Sequence, residues 1–275
     1  MLIAGHRVEE IGLGTAQFAF RDGTAAESVA TVRAALNAGV TLIDTALAYT
    51  RPGIESYAEQ VIATALRGVT RDRPLVATKG GHWRDGGHFP VDGRPAVLRA
   101  HCEISLRTLG VDQIGLYQLH HVDPDVPLPD SVGALEELRQ EGKIAAVGLS
   151  NVTAVQLDQA LAITLVATVQ NQLSYGRPDD LPTALACGER GIAYLAYKAF
   201  AGTPGTPPEA VLAVARRHGV SAHRVLLAWL RKQSPYIIPL VGASRPASIR
   251  DSAAPLELTD QDLADLAAAQ SATCG

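Results

Sequence analysis

The chain is poor in the features that would take it away from ordinary globular chemistry. It has three cysteines in 275 residues. Cys102, Cys187 and Cys274 are odd in number, far apart and in no CxxC or Cys/His spacing, so neither a disulfide framework nor a zinc site is indicated. Reduced thiols in the cytoplasm are the expectation. Met1–Glu10 carries His6, Arg7, Glu9 and Glu10, and it lacks an apolar run long enough for a signal peptide or a membrane span. The 24 basic and 28 acidic side chains are interspersed, which leaves a formal charge of −4 and no basic block. Nucleic acid and membrane are therefore poor partners. Gly12-Leu13-Gly14 lacks the third glycine of a GxGxxG fingerprint. No low-complexity linker divides the chain.

Apolar residues make up 47% and charged residues 19%, enough to bury a sizeable core. The length suits one (β/α)₈ barrel, which needs about 250 residues, so one domain over residues 1–275 is expected. Short apolar runs alternate with Ala/Leu-rich stretches of helical period. Strands are predicted at Ile11–Thr15, Thr41–Asp44, Leu75–Thr78, Ile114–Leu119, Ala145–Leu149, Ala167–Val169, Ala193–Ala196 and Ile237–Pro239. Each is near-continuously apolar or small, as a strand buried on both faces must be. Helices are predicted at Glu27–Asn37, Pro95–Leu109, Ser131–Gln140, Ala154–Leu161, Leu181–Cys187, Pro208–His218, Ala222–Lys232 and Asp260–Ala269. Prolines open some of them and glycines close others. The fold class is α/β, a parallel eight-stranded TIM barrel with outer helices.

Barrels carry their chemistry just past the C-terminal ends of the strands. Asp44, Lys79 and His120 each end an apolar run, and Tyr49 follows Asp44 closely. Ser150-Asn151 and Gln170-Asn171 place hydrogen-bonding groups after the next two strands. A phenol gives up its proton poorly near neutrality unless cations stabilise the phenolate. Lys79 supplies such a field, Asp44 keeps it charged, and His120 can polarise a carbonyl. Taken singly, a strand-end Asp–Lys pair or a histidine after an apolar strand is better read as structure. Four such groups converging on one rim point to a site.

The sequence resembles the aldo-keto reductases over nearly its whole length. The resemblance is carried by Ile43-Asp44-Thr45-Ala46-Leu47-Ala48-Tyr49, Ala77-Thr78-Lys79, Gln118-Leu119-His120 and Gly148-Leu149-Ser150-Asn151. It implies reduction of an aldehyde or ketone by NADPH, with Tyr49 as general acid, Lys79 and Asp44 tuning it, and His120 orienting the carbonyl. It implies that Ser150, Asn151 and Gln170 hold the nicotinamide carboxamide and that Tyr197 stacks on the ring. The segment from Ile238 to Pro246, with Gly242 and Arg245, is similar to the family's 2′-phosphate grip, and a guanidinium there favours NADPH.

Three departures stand against that pattern. Lys198-Ala199-Phe200 replaces the usual Ser-Pro-Leu, so Lys198 puts a charge near the cofactor pyrophosphate. Arg250-Asp251-Ser252 replaces the residues that reach the adenine. Little of a C-terminal loop follows Ala269, which predicts an open pocket. Substrate contacts fall to the glycine-rich loop Gly80–Arg94, with Trp83 and Phe89, and to His121. Thr78–Gly81 and Leu119–Pro124 look closest to bacterial members that reduce pyridoxal or small aldehydes. The predicted partner is a small carbonyl compound, and the predicted state is a monomer or weak oligomer. Two other readings stay open: a lyase forming a Schiff base on Lys79, and an NADPH-binding redox sensor with slow turnover.

Overall fold

The structure of the chain, a computed structural model, describes residues 1–200 and 207–273. Cys274 lies outside the described residues. A hairpin of β1 (Leu2–Ile3) and β2 (His6–Arg7) opens the chain. Its turn residues Ala4 and Gly5 have φ of 48° and 77°. Two successive left-handed residues give a type I′ turn, whose twist suits a two-residue hairpin.

The barrel strands are β3 (Gly12–Gly14), β4 (Leu42–Asp44), β5 (Leu75–Gly80), β6 (Leu116–Leu119), β7 (Val147–Ser150), β8 (Val166–Gln172), β9 (Ala193–Tyr197) and β10 (Ile237–Val241). They pair in parallel in chain order, and β10 pairs with β3 to close the ring. The predicted (β/α)₈ barrel is the fold.

Around it run α1 (Ala16–Phe20), α2 (Ala25–Asn37), α3 (Tyr57–Ala65), α4 (Pro95–Leu109), α5 (Leu128–Gln140) and α6 (Ala154–Leu161). α7 (Leu181–Glu189), α8 (Glu209–His218), α9 (Ala222–Gln233), α10 (Pro246–Ala253) and α11 (Asp260–Thr273) complete the set. Thr24 with Glu27 and Thr153 with Gln156 form capping boxes that fix the starts of α2 and α6. α4 begins on Pro95 and ends at Gly110 in the left-handed conformation.

Three helices and the hairpin escape a reading by periodicity. α1 and the hairpin strands are too short to show a period. α3 starts after Ser56, which is left-handed at φ 51° and makes no side-chain cap, so no start signal precedes it. α10 follows the strand-eight segment whose residues read as a phosphate grip. α5 begins at Leu128 rather than Ser131, because Pro129 fits a first turn whose N–H groups have no intrahelical acceptor to lose.

The side-chain period of two sorts each strand. Leu42, Leu75, Ala77, Leu116, Ala146, Leu195, Ile238 and Leu240 fill the lower barrel, and Ile3 and Val8 of the hairpin region pack beneath them. Their neighbours Ile43, Tyr117, Val147, Val169 and Tyr194 face the helices in the larger core. Each fully buried leucine contributes about 1.5–3 kcal/mol before entropy is counted. Two residues beyond Leu42, Ala77, Leu195 and Leu240, the inward positions Asp44, Lys79, Tyr197 and Gly242 reach the cleft.

Candidate active site

A cavity of about 610 Å³ opens at the C-terminal ends of the strands, and Asp44, Tyr49, Lys79 and His120 line it together. Lys79 is the inward residue after Ala77 and is 1% exposed. Its ammonium donates to Asp44 Oδ1 at 2.6 Å and to the Thr45 carbonyl at 2.8 Å. Burial pushes the Asp44 carboxyl up and the Lys79 ammonium down, and each charge pulls the other back toward ionisation. On the outer face of β5, Thr78 donates at 2.5 Å to Glu59, a fully buried carboxylate on α3 that also accepts from Ser56. Burial raises the Glu59 carboxyl, while these hydroxyls and Lys79 act the other way.

Tyr49 stands above this pair, with Lys79 Nζ 5.4 Å from its ring centroid. Its hydroxyl has no hydrogen-bond partner among the described residues. Burial, followed by the negative charge of Asp44, raises it well above the usual phenol range. This differs from the expected lowering by Lys79, whose cation is engaged by Asp44. The phenol therefore stays protonated in the cleft. His120 is held neutral: burial, then Lys79 and the neighbouring His82 and His121, push it well below the usual imidazole range. Its Nδ1 is buried without a partner among the described residues.

Ser150, Asn151, Gln170, Tyr197, Lys198 and Gly242 also line the cavity. Ser150 donates to the Gln170 carbonyl at 2.9 Å. Asn151 is left-handed at φ 58°, and its side chain ties three strand ends together. Its amide nitrogen donates to the His120 carbonyl at 3.0 Å, and its oxygen accepts the Tyr197 hydroxyl at 2.7 Å. A carboxamide ligand would have to exchange one of these bonds to reach Asn151. Lys198 is exposed and left-handed at φ 51°, with Nζ 5.7 Å from the Tyr197 ring. Arg245 stands outside the residues lining the cavity, exposed at the N-cap of α10.

The structure brings His121 to the cavity, its ring 5.1 Å from His120 and nearly parallel to it. Burial and the His82 field push His121 down to about 4. Trp83 is not brought there: it packs edge-on against His101 of α4 at 5.7 Å, holding the loop to the barrel. Phe89 is likewise absent from the lining but completes a collar. Ring contacts run from Tyr49 to His120, His82, Phe89, Phe20 and back to Tyr49, with centroids 4.8–6.0 Å apart. The Gly80–Arg94 loop is docked by Arg84, which donates to the Thr50 carbonyl at 3.2 Å, and its tip is closed by reciprocal backbone bonds between Asp85 and His88.

Sequence reasoning missed Phe20, Gln17, Gln118 and Thr168. Phe20 sits in a helix too short to be read. Gln118 and Thr168 did leave a signal, since each is a polar residue in phase with an inward group, His120 and Gln170 respectively.

A parallel barrel carries a convergent tyrosine, lysine, aspartate and histidine at its C-terminal rim, and comparison with known proteins gives the family. The Aldo/keto reductase family profile matches residues 10–271. An uncharacterized oxidoreductase of Schizosaccharomyces pombe is 30% identical over 244 residues, which cover 86% of this chain and 77% of the relative. Among solved structures, the glycerol dehydrogenase of Gluconobacter oxydans superposes with a TM-score of 0.80 at 26% identity, over 96% of this chain and 92% of that one. An aldo/keto reductase of Klebsiella pneumoniae, solved with NADP and acetate, superposes with a TM-score of 0.79 at 29% identity, over 94% and 90%. The chain belongs to the aldo/keto reductase family, a family of oxidoreductases.

Proposed function

We propose that the chain reduces an aldehyde or ketone to the alcohol with NADPH, and that Tyr49 gives the proton. One observation carries this reading: a protonated, unpartnered phenol stands over a buried Lys79–Asp44 pair beside a neutral imidazole. The donor set also fits the cofactor. Ser150, Asn151 and Gln170 offer the hydroxyl and amides that match a carboxamide, the half-buried Tyr197 ring offers a stacking face, and Lys198 and Arg245 offer cations for phosphates. NADPH bound there supplies the hydride that reaches the carbonyl carbon.

The residues handle the oxygen. Neutral His120 donates a hydrogen bond to the carbonyl oxygen without protonating it. Tyr49 transfers its proton as negative charge develops there, and an alkoxide is basic enough to take it from a phenol of raised pKa. The Lys79 ammonium, 5.4 Å from the ring centroid, faces the phenolate until solvent restores its proton. Lys79 is a poor nucleophile while its ammonium is shared between Asp44 and the Thr45 carbonyl, which argues against Schiff-base chemistry. Buried, thiol-form Cys102 and Cys187 are consistent with action in the cytoplasm.

The test is NADPH oxidation across a panel of aldehydes, ketones and pyridoxal, with NADH as comparator. Tyr49→Phe is expected to lower turnover by about 10² to 10⁴ with NADPH affinity nearly intact. Retained turnover overturns the assignment of the acid. NADPH binding with no oxidation of any compound would make the chain a binding subunit instead.

A further inference from the structure

Beneath the cleft floor, one line of side chains crosses the barrel. Thr168 Oγ1 donates to Gln118 Oε1 at 3.1 Å, Gln118 Nε2 to Gln170 Oε1 at 2.7 Å, and Gln170 Nε2 to Asp44 Oδ2 at 3.2 Å. The other Asp44 oxygen takes Lys79. Gln118 and Thr168 are fully buried, and Gln170 is nearly so. The end points fix both amide orientations. A carboxylate paired with a lysine only accepts, so Gln170 must turn its NH₂ to Asp44. Its oxygen then faces Gln118, which must present its own NH₂ and leave its oxygen for the Thr168 hydroxyl. Each bond polarises the next in a low-dielectric interior, so the line of bonds is worth more than its members taken singly.

A second feature makes this chain specific. It passes over β7 at Gly148, which pairs with Gln118 on one side and Thr168 on the other. A Cβ on Gly148 would lie 2.4 Å from Thr168 Oγ1 and 2.8 Å from Gln118 Cγ. The glycine is what lets the two side chains meet.

We propose that Gln118 is a positioning residue of the reductase site: it fixes the Gln170 amide and, through it, braces Asp44 against Lys79. Its effect on turnover rests on the function proposed above, whereas its effect on Asp44 does not. Asp44 is faced by Lys79 from β5 and by Tyr49 from the loop after β4. Lys79 is faced in turn by Glu59 from α3 and by His120 just after β6, and Tyr197 of β9 faces Tyr49.

The deciding measurement is the acid titration of the Asp44 carboxyl carbon by carbon-13 NMR in the full chain, assigned with Asp44→Asn. Gln118→Leu and Gly148→Ala should each raise its midpoint by about one pH unit, because hydrogen bonds to the charged form are lost. An unchanged midpoint in folded samples of both overturns the proposal. Gln118→Glu keeps the shape and tests the donor itself. While protonated, the introduced carboxyl donates to Gln170 as the amide does, and once ionised it cannot. Turnover relative to wild type should fall with rising pH for Gln118→Glu. For Gln118→Leu it should be down about ten- to a hundredfold at every pH, mainly in kcat. A Gln118→Glu variant that tracks wild type throughout overturns the proposal. If wild type reduces no carbonyl, the reductase reading falls and the Asp44 titration still decides.

Discussion

Leu42 and Asp44 are two residues apart on β4 and face the same barrel interior, yet their surroundings are opposite. Leu42 packs among Leu75, Leu116, Leu195 and Leu240 above the hairpin. Asp44 meets Lys79 on one oxygen and Gln170 on the other. The lower layer asks only for apolar volume, and neighbours of similar size can replace one another. In the upper layer the Asp44–Lys79 pair and the Gln118 and Gln170 amides are all partnered, because an unpaired charge or amide there bears the full cost of desolvation, while the Tyr49 hydroxyl and His120 Nδ1 have no partner among the described residues. One set of strands thus carries stability at one end and chemistry at the other, and the period of two keeps both in phase.

Breaking the upper layer should have the largest effect. Lys79→Ala leaves Asp44 buried without its cation, which costs roughly 3–5 kcal/mol in denaturant unfolding and reduces NADPH-dependent turnover to background. A lower-layer change separates the two ends. Leu195→Ala should cost about 2–5 kcal/mol by the same unfolding measurement while kcat per folded molecule stays within about twofold. A loss of kcat as large as that of Lys79→Ala would dissolve the distinction.

Arg245 extends the comparison beyond the barrel to α10. Arg245→Leu should weaken NADPH by about 1.5–3 kcal/mol, roughly tenfold or more in KM, with NADH kinetics unchanged. An equal loss for both cofactors would remove it from phosphate recognition.

The smallest effect is in acid. His121 is pushed down to about 4 in the fold, against 6.5 when unfolded. Between those values the unfolded chain binds a proton that the folded chain does not, so stability falls as pH drops through this window. His121→Asn should flatten that part of the Tm profile between pH 6.5 and 4. A variant profile parallel to wild type would show that His121 titrates normally.

The apolar runs were enough to read all eight barrel strands, because a strand covered on both faces is mostly apolar and admits a polar side chain only where another meets it, as Gln118 and Thr168 meet. The same pattern exposed Asp44, Lys79 and His120 as ionisable groups at the ends of those runs. It did not expose α3, which starts on a left-handed Ser56 with no cap, or α1, which has five residues. The roles proposed for the substrate loop divided along physical lines. An indole in a loop packs on the nearest ring, which for Trp83 is the His101 imidazole, while His121 is carried into the cavity by its place next to His120.

By itself the sequence determined the alternation of strands and helices, the closed barrel they form, and the ionisable residues at the strand ends, since burial and side-chain period act locally. Only the tertiary structure decided which of those residues are spent on each other. Lys79 is committed to Asp44 and not to Tyr49, Asn151 to His120 and Tyr197, and Gln118 to Gln170 across a glycine. Such bonds join residues up to 126 positions apart, and they depend on the closed ring of strands bringing their ends within hydrogen-bond reach.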